Sequence, residues 1–458
     1  MIEISNKNHL IENGKTPLIQ KARMLALNSL ERALNAAEPK SLLQSKLTLK
    51  GSCLRADNCS FDLTRIGQVY VVGGGKAGGA MALALEEILG NCISAGVVNV
   101  PYGAKRQTQV IELNEASHPV PDGAGEEGAR RMMALAKKAE KDDLLICVLS
   151  GGGSSLMPLP REGISIRDKQ KLTDALLKSG AAIDEINVVR KHLSALKGGW
   201  LAKKAYPATV LNLLLSDVMG DSLDAIASGP TVPDPSTFAD ARRILEKYNL
   251  WSDASDSIRK LLSDGELGLA EETPKPGEAA FKRVCNVIVG NNKISSDAAV
   301  TFLKSASLNT LLFQNALTGE AREGGKRLAL FACRIAASGR PLSKPAGVVA
   351  GGETTVTVTG KGKGGRNQEL ALAAALQFEN SGACVLASIG TDGVDGSTDA
   401  AGAIVDGFTL ARARELGLDP GRYLTDNNSY DFFSQLGDLI VTGATGTNVN
   451  DISVIVIL

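Results

Sequence analysis

The chain has 458 residues, which exceeds the size of one ordinary hydrophobic core and favours two domains. Fifty basic and fifty acidic side chains give a formal net charge of zero, and aromatic residues make up only 4% of the chain. This balance argues against a nucleic-acid binder or a membrane-surface binder, because such proteins need a basic excess.

The cysteines and the N-terminus indicate the compartment. The seven cysteines form no C-x-x-C pair, and several lie within apolar runs, so we expect free thiols in a reducing compartment rather than a disulfide framework. With three histidines and no paired cysteines, a zinc site is not expected. No signal peptide and no bilayer-spanning apolar run is visible. We therefore expect a cytoplasmic protein.

The first half of the chain alternates predicted strands with predicted helices. Residues 16–37 carry leucines and alanines at helical spacing and predict an amphipathic helix. The strands are then predicted within residues 68–75, 94–101, 143–153 and 208–221, and the helices within 76–89, 126–139, 167–180 and 188–205. Apolar strands separated by helices indicate a doubly wound parallel sheet that is covered on both faces.

A polar stretch at Ser263–Glu278 predicts a linker. We expect an N-terminal domain over residues 1–270 and a C-terminal α/β domain over residues 280–458. In the second domain, strands are predicted at 283–290, 347–360 and 383–393, and helices at 296–304, 321–337 and 367–378. The last twenty residues, 439–458, predict two strands joined by a polar turn.

The first predicted strand ends in glycines followed by a lysine. Gly73, Gly75 and Gly78 have the G-x-G-x-x-G spacing of a turn that aims backbone N–H groups at an anion. A dinucleotide site also needs an acid about 20 residues further on, and residues 97–103, "VVNVPYG", contain none. Lys76 instead fits a handle for a phosphoryl group. The alternative is a tight turn with a surface lysine.

A second glycine-rich turn, "SGGGSS", follows the third strand and predicts another anion-binding nest. Ser154 lacks the G-x-S-x-G context of a hydrolase nucleophile, so that role is discounted. The predicted binding residues of the two turns are Gly73, Gly74, Gly75, Ser150, Gly151, Gly152, Gly153 and Ser154.

Two clusters of aspartates also follow strands. One contains Asp217, Asp221 and Asp224, and the other contains Asp392, Asp395 and Asp399. Such carboxylates hold Mg²⁺ in polyphosphate sites, although the first cluster also fits helix caps.

Two cationic segments complete the candidate residues. Arg190, Lys191, Ser194 and Lys197 have helical spacing, which fits either a solvated stripe or a site for a small carboxylate. Lys361, Lys363 and Arg366 lie among glycines in a loop that we expect to be mobile, beside Glu353. Anion-binding turns, cations and carboxylates together favour phosphoryl transfer, in which catalysis is mostly positioning and charge neutralisation.

Nine segments resemble the glycerate 2-kinase family, whose members are also labelled hydroxypyruvate reductase. They are "VVGGGKAGGAM", "HPVPD", "LSGGGSSLMPLP", "VVRKHLSALKGG", "LSDVMGDSLDAIASGPTVPDPST", "LTGEAREGG", "GGETTVTVTGKGKGGRNQELAL", "ASIGTDGVDGSTDAAGA" and "TGATGTNVNDISV". They occur in order from about residue 20 to the C-terminus. One departure is Ala444, where the family usually has proline.

The resemblance implies a kinase that uses ATP and Mg²⁺ to phosphorylate the 2-hydroxyl of D-glycerate. It implies two α/β domains, the first Rossmann-like, with the active site in the cleft between them. The family's catalytic lysine and arginine fall on Lys76 and Arg366. Its acidic site positions fall on Asp217, Glu353 and Asp392. Its glycine nests fall on Gly73–Gly75 and Gly151–Gly153.

We therefore expect Lys76 and Arg366 to neutralise the transferring phosphoryl group. Asp217, with Asp221, would hold Mg²⁺, and either Asp392 or Asp217 would accept the hydroxyl proton. The carboxylate of glycerate would be held by Arg190, Lys191 or Ser154.

Two other functions compete with this interpretation. One is an NAD(P)-dependent hydroxypyruvate reductase, which rests on the glycine spacing and the second family label. The other is a non-catalytic sensor of a phosphosugar or nucleotide. The expected partners are D-glycerate and ATP, with no nucleic acid and no membrane, and a homodimer is compatible with the sequence.

Overall fold

The structure is a computed structural model that describes residues 1–313, 317–379 and 381–458. Its strands are β1 (Leu47–Lys50), β2 (Cys53–Ala56), β3 (Cys59–Asp62), β4 (Val69–Gly74), β5 (Ala95–Pro101), β6 (Ile111–Ala116), β7 (Leu144–Leu149), β8 (Thr209–Leu215), β9 (Val284–Gly290), β10 (Asn309–Leu312), β11 (Ala346–Gly352), β12 (Cys384–Gly390), β13 (Gly402–Asp406), β14 (Leu439–Ile440) and β15 (Asp451–Ile457).

The α-helices follow the same chain order. They are α1 (Lys7–Glu12), α2 (Pro17–Ala36), α3 (Pro39–Lys46), α4 (Gly78–Leu89), α5 (Gly123–Lys138), α6 (Gly153–Leu156), α7 (Ile166–Lys178), α8 (Ile183–His192), α9 (Trp200–Ala205), α10 (Phe238–Lys247), α11 (Asp256–Glu266), α12 (Asn292–Ser305), α13 (Ala321–Ser338), α14 (Arg366–Ala375), α15 (Thr409–Glu415), α16 (Pro420–Thr425) and α17 (Ser429–Leu436).

The chain forms two compact units. We call residues 39–289 the parallel-sheet unit, and residues 1–38 together with 290–458 the mixed-sheet unit. The predicted division at 270–280 lies close to the boundary at residues 289–290. The prediction groups the N-terminal helix with the parallel-sheet unit, whereas residues 1–38 belong to the mixed-sheet unit. No helix in the described ranges is both long enough and apolar enough to cross a membrane.

The parallel-sheet unit is built on six strands in the order β6-β5-β4-β7-β8-β9. Strands β4 to β8 pair in parallel, as predicted. Counted along the chain, the order is 3-2-1-4-5-6, that of doubly wound sheets, which bind ligands beyond the strand ends where the order reverses. Here the reversal lies between β4 and β7, so both glycine-rich turns lie at the same crevice.

The residues of this sheet alternate between its two faces. Tyr70 and Val72 of β4 join one apolar cluster with Met132 of α5 and Leu201 of α9. A separate cluster joins α7, α8, α10 and α11 through residues such as Leu172. These four helices therefore form their own layer, which presents α7 and α8 beside the crevice.

A small antiparallel sheet, β1-β2-β3, precedes the parallel sheet. Cys59 of β3 and Cys285 of β9 form a disulfide, with their Cα atoms 6.6 Å apart. The expectation that all seven cysteines are free thiols is therefore wrong for this pair. The partners are 226 residues apart in the sequence, so only the fold reveals their proximity.

The mixed-sheet unit contains a six-stranded sheet in the order β10-β11-β15-β12-β13-β14. Among the described strands of this sheet, only β10 and β11 pair in parallel, and β15 runs antiparallel to both β11 and β12. Helices α2 and α12 cover one face of this sheet, and α13 and α14 cover the other.

The N-terminal helix α2 packs in this second unit. Leu27 and Leu30 join the cluster formed with Val454 of β15. Arg23 is fully buried and donates to Asp406 at 2.6 Å and to Asp438 at 2.8 Å. The periodicity of the sequence predicts that this helix has an apolar face, but it contains no information about the surface that this face covers.

Three local predictions also differ from the structure. The strand at 284–290 is β9 of the parallel sheet rather than the start of the second domain. Strand β11 ends at Gly352, so the predicted strand over 347–360 is only half as long. Strand β14 pairs with β13, and β15 pairs with β11 and β12, so the last twenty residues do not form a hairpin.

Candidate functional site

The glycine-rich turn after β4 packs tightly against β7. Gly73 and Gly75 have φ values of 151° and 149°, which residues with a side chain rarely adopt. A Cβ atom added at Gly73 would lie 2.0 Å from the Val148 carbonyl oxygen, and one added at Gly75 would lie 2.1 Å from Ser150 Oγ. These glycines therefore allow the ends of the two central strands to meet.

The N–H groups of this turn donate to the protein itself. The Lys76 N–H donates to the Gly151 carbonyl at 2.7 Å, and the Gly78 N–H donates to Gly75 at 3.0 Å. The Ala77 N–H donates to Ser150 Oγ at 3.0 Å. Because these donors are occupied, the geometry does not support the predicted anion-binding nest at Gly73–Gly78. The turn instead fixes the backbone from which the Lys76 side chain projects.

The end of β5 is the position where a dinucleotide site carries an acid. Asn99 lies there, fully buried. Its side-chain amide donates to the carbonyl of Gly125 at 2.9 Å and to that of Leu156 at 2.6 Å. Asn99 therefore joins β5 to the start of α5 and to α6, and it does not serve as an acceptor for a ribose.

The second turn borders a cavity of about 600 Å³. A Cβ atom added at Gly152 would lie 2.8 Å from the His118 ring and 3.5 Å from Lys76 Cγ, so both side chains run alongside this turn. We call this space the cationic cavity; its lining residues are His118, Pro119, Val120, Pro121, Gly152, Ser154, Ser155, Pro158, Ile166, Lys169, Gln170, Lys171, Thr173, Asp174, Leu177, Arg190 and Lys197.

Three cations of the cavity wall are partly or fully buried. Lys169 of α7 and Lys197 are buried, and Arg190 of α8 is half-buried. Lys197 Nζ donates to the Met157 carbonyl at 2.6 Å. Burial, followed by the charge of Arg190, lowers the pKa of Lys169 to about 7. Burial also lowers the pKa of Lys197 and that of Arg190. The cavity is therefore lined by basic groups whose charged forms a bound anion would favour.

Ser154 is hydrogen-bonded to a segment with a strained backbone, Ala227–Ser228. Its hydroxyl lies 2.8 Å from Ser228 Oγ, which in turn donates to Asn187 Oδ1 at 3.2 Å. Ala227 and Ser228 have φ values of 51° and 60°. Such left-handed residues cost about 1–3 kcal/mol each and tend to cluster at functional sites, so this segment supports the cavity as a site.

The predicted cationic helix stripe does not exist as one surface. Helix α8 ends at His192, and α9 begins at Trp200, so Lys197 lies in the intervening loop. Lys191 is buried, with Nζ 3.3 Å from Asp224 and 3.6 Å from Asp234. Its charge is used within the protein, and this geometry does not support Lys191 as a ligand for the substrate carboxylate.

The aspartates that follow β8 lie in an irregular segment rather than a helix. Asp217 and Asp221 are both half-buried, and Asp221 has a φ of 55°. Burial raises the pKa of Asp224, but the Ser222 hydroxyl and the charge of Lys191 lower it by more than burial raises it. The net pKa shift is therefore downward. Asp224 therefore remains ionised as the partner of Lys191.

Arg366 is the first residue of α14 in the mixed-sheet unit, and two carboxylates hold it. Its Nε and Nη2 donate to Asp451 at 2.6 and 3.0 Å. Its Nη1 donates to Glu353 at 2.7 Å. Burial keeps the pKa of Asp451 above its usual value, although Arg366 opposes this shift. The guanidinium is thus fixed in orientation by a paired contact.

Asp395 occupies the N-terminus of α14. Its carboxylate accepts from the N–H groups of Asn367 at 3.0 Å and Gln368 at 2.8 Å. Asp392 Oδ1 accepts from the Val394 N–H at 3.2 Å within the turn that follows β12. A Cβ atom added at Gly390 would lie 3.3 Å from Asp392 Oδ1 and 3.6 Å from Asp451 Oδ1, so these two carboxylates border one point.

The cationic loop before α14 is anchored, in contrast to the expected mobile loop. The N–H groups of Lys361 and Lys363 donate to Asp426 at 3.1 Å and to Asn428 at 3.0 Å. The ammonium of Lys363 lies 4.1 Å from the ring centre of Tyr430. These contacts, rather than chain flexibility, determine how the loop leads into Arg366.

Comparison with known proteins identifies the family. The model of a domain of unknown function, DUF4147, matches residues 25–263, and the MOFRL family matches residues 346–451. The chain is 46% identical over 389 residues to the D-glycerate 2-kinase of Thermotoga maritima, covering 84% of this chain and 89% of that protein. The chain belongs to the glycerate 2-kinase family.

Two further members show the range of names and the shared fold. A putative hydroxypyruvate reductase of Agrobacterium vitis is 42% identical over 393 residues, covering 85% of this chain and 87% of that protein. A crystal structure of glycerate kinase from Thermotoga maritima superposes with a TM-score of 0.83 at 42% identity, covering 95% of this chain and 99% of that one. The recognised resemblance and the α/β fold class are thereby confirmed.

Three residues that stand out in this member of the family were absent from the predicted site. His118 lies in the "HPVPD" segment and Asp451 in "TNVNDISV", so a closer reading of those motifs could have found them. Lys169 lies in an ordinary amphipathic helix, where a lysine is normally solvated. Its burial beside Arg190 is a consequence of tertiary packing alone.

Proposed function

We propose that the chain transfers the γ-phosphoryl group of ATP to the 2-hydroxyl of D-glycerate, which yields 2-phosphoglycerate and ADP. The observation that carries this proposal is the 46% identity to a D-glycerate 2-kinase across most of both chains. The cavity lined by basic groups beside Lys76 is consistent with it, because phosphoryl transfer requires that negative charge be bound and neutralised.

Lys76 and Arg366 are the proposed catalytic cations. Lys76 follows a turn whose backbone is fixed by Gly151 and Ser150, so its position is well determined for contact with the transferring group. Arg366 is oriented by Asp451 and Glu353, whose contacts within the described chain use its Nε and one N–H of each terminal nitrogen. The second N–H of each terminal nitrogen is left to donate to a phosphoryl oxygen. Charge at preorganised donors stabilises a transition state without reorganisation at the moment of reaction.

The acids have proposed roles in proton transfer and substrate placement. Asp392, or alternatively Asp217, accepts the proton of the glycerate hydroxyl as the phosphoryl group arrives. Glu353 acts through Arg366, to which it is bonded at 2.7 Å. Ser154 and Arg190 border the cationic cavity and would bind an anionic group of a substrate.

Magnesium is proposed to enter with the nucleotide. In the described part of the chain, no group of three or more His, Cys, Asp or Glu side chains is arranged to hold a metal ion. Mg²⁺ in kinases is bound by substrate phosphates together with only one or two carboxylates. Asp217 and Asp221 are carboxylates of the kind that this coordination needs. The ion would add neutralising charge on the phosphates.

The reductase alternative is not favoured. The N–H groups of Lys76 and Ala77, which a pyrophosphate would need as donors, are bonded to the Gly151 carbonyl and to Ser150 Oγ. Asn99 stands where a ribose-binding acid is needed. Its amide nitrogen donates to two backbone carbonyls, and its Oδ1 accepts from the Asn114 side chain at 3.0 Å.

The test measures turnover with ATP, Mg²⁺ and D-glycerate by a coupled assay for released ADP. Phosphorus NMR of the product then locates the phosphate. Lys76→Met should lower kcat at least about 100-fold, as removal of one transition-state donor does in other enzymes. Lys50→Met, at the exposed end of β1, is the matched control and should retain full activity. Near-normal turnover of Lys76→Met, or NADH oxidation with hydroxypyruvate in the absence of ATP, would reject the proposal.

A further inference from the structure

The cationic cavity contains a buried ammonium group that no role assigned above explains. Lys169 is only 8% exposed, and among the described residues its Nζ has no hydrogen-bond partner. A buried charge without a partner destabilises a folded protein. Since Lys169 lines the cavity, its ammonium is available to a bound anion.

The positive charge of the cavity is not balanced by neighbouring carboxylates. Within the described ranges, Lys169, Arg190 and Lys197 make no ion pair with an acid. Asp174 on the rim is paired with a lysine of its own helix at 2.7 Å. Glu126 raises the pKa of Lys169, but burial and Arg190 lower it more. The protein therefore gathers three buried or half-buried basic side chains, and the exposed Lys171, around one open space without pairing the three with an acid.

The size and walls of the cavity indicate what supplies that charge. A volume of about 600 Å³ lies within the range of nucleotide-sized and drug-sized sites and far exceeds what a three-carbon acid fills. Val120, Ile166 and Leu177 add an apolar wall, and Val120 and Leu177 are more than half exposed. An anionic chain attached to a flat apolar group matches both features.

We propose that the cationic cavity binds the nucleotide, with Lys169, Arg190 and Lys197 around its phosphates and the base against Val120, Ile166 and Leu177. This inference rests on the proposed kinase function. A triphosphate carries three to four negative charges and can pair with several of the basic side chains that line the cavity, whereas one carboxylate would leave most of them unpaired. Arg190 then contacts the nucleotide rather than the carboxylate of glycerate.

The experiment is calorimetric titration of the full chain with MgADP and, separately, with D-glycerate. Lys169→Met should weaken MgADP binding by about 10- to 100-fold, the effect of one hydrogen bond to a charged group. Lys169→Arg should recover most of the affinity, because it restores the charge. Arg167→Met, which replaces an exposed arginine on the same helix outside the cavity lining, should bind as the parent does.

Thermal unfolding without ligand separates binding from stability. The Tm of Lys169→Met should not fall, because the substitution removes an unpartnered buried charge. If this variant nevertheless fails to fold, Arg190→Met, at a half-buried position, provides the same binding comparison.

Unchanged MgADP affinity in Lys169→Met overturns the inference, and so does a loss of D-glycerate affinity alone. The latter result would make the cavity a carboxylate site. A parent chain that binds MgADP through Lys169 yet forms no phosphoglycerate would reject the kinase function and leave the nucleotide site standing. Normal kinase turnover together with MgADP binding that does not depend on Lys169 would support the kinase function and reject the nucleotide site proposed here.

Discussion

Substitution of Gly75 by alanine tests whether the glycine-rich turn works through close packing. An alanine at this position would have to adopt a φ near 149°, at a cost of about 1–3 kcal/mol. Its Cβ would lie 2.1 Å from Ser150 Oγ and 2.6 Å from the Ser150 carbonyl oxygen. Such overpacking usually costs about a further 1–3 kcal/mol.

Together these terms predict a loss of about 2–6 kcal/mol in the free energy of unfolding. Relief of the clash would also disturb the bond from the Ala77 N–H to Ser150 Oγ, which fixes the start of α4. Lys76 precedes that bond by one residue. Because a displacement of about 1 Å can lower a rate about 100-fold, we expect kcat to fall by at least that factor.

Urea denaturation followed by circular dichroism measures the stability, and coupled ADP release measures kcat. Gly123→Ala is the matched control, because it begins helix α5 and an added Cβ there meets no heavy atom within 4 Å. This control should be as stable as the parent, or more stable by up to about 1 kcal/mol. If Gly75→Ala unfolds within about 0.5 kcal/mol of the parent, the range of ordinary surface substitutions, the packing argument is refuted.

Two further substitutions test buried ion pairs in the mixed-sheet unit. Asp451→Asn should release Arg366 from its paired contact, so kcat should fall more than KM rises. The stability loss, read from urea denaturation, should be at most about 3 kcal/mol, because Arg366 is one-third exposed; an unchanged kcat would contradict the positioning role. Arg23→Met leaves the buried Asp406 without its arginine and Asp438 with Arg412 alone, and it should cost about 3–5 kcal/mol in the same assay. A cost below about 1 kcal/mol would show that the N-terminal helix contributes little to this unit.

Much of the fold could be predicted from local patterns. The alternation of apolar strands and helices is enough to predict the parallel sheet, because strands buried on both faces must be apolar throughout. The helical spacing of leucines and alanines predicted helix α2 nearly to the residue, and the structure shows that Thr16 caps it and that Pro17 lies in its first turn. The segments that match the family also predicted Lys76 and Arg366 as candidate catalytic residues.

Local patterns did not predict which surfaces meet. The sequence does not specify that α2 packs on β15, that Cys59 meets Cys285, or that β14 and β15 lie in separate parts of one sheet. The first two contacts join segments that are distant in the chain, whereas β14 and β15 are close in the chain and pair with other strands. In each case the partner is selected by packing of the whole core rather than by nearby residues.

The candidate site shows the same division. By itself, the sequence determined the residue types at the strand ends: glycines, a lysine, an arginine and carboxylates suited to phosphoryl transfer. Only the tertiary structure decided that the N–H groups of Lys76 and Ala77 are occupied by the turn that follows β7, that Lys191 is paired internally, and that Lys169 faces a cavity. Whether a polar group is available to a ligand depends on what the rest of the chain places against it, and that is a property of the folded protein.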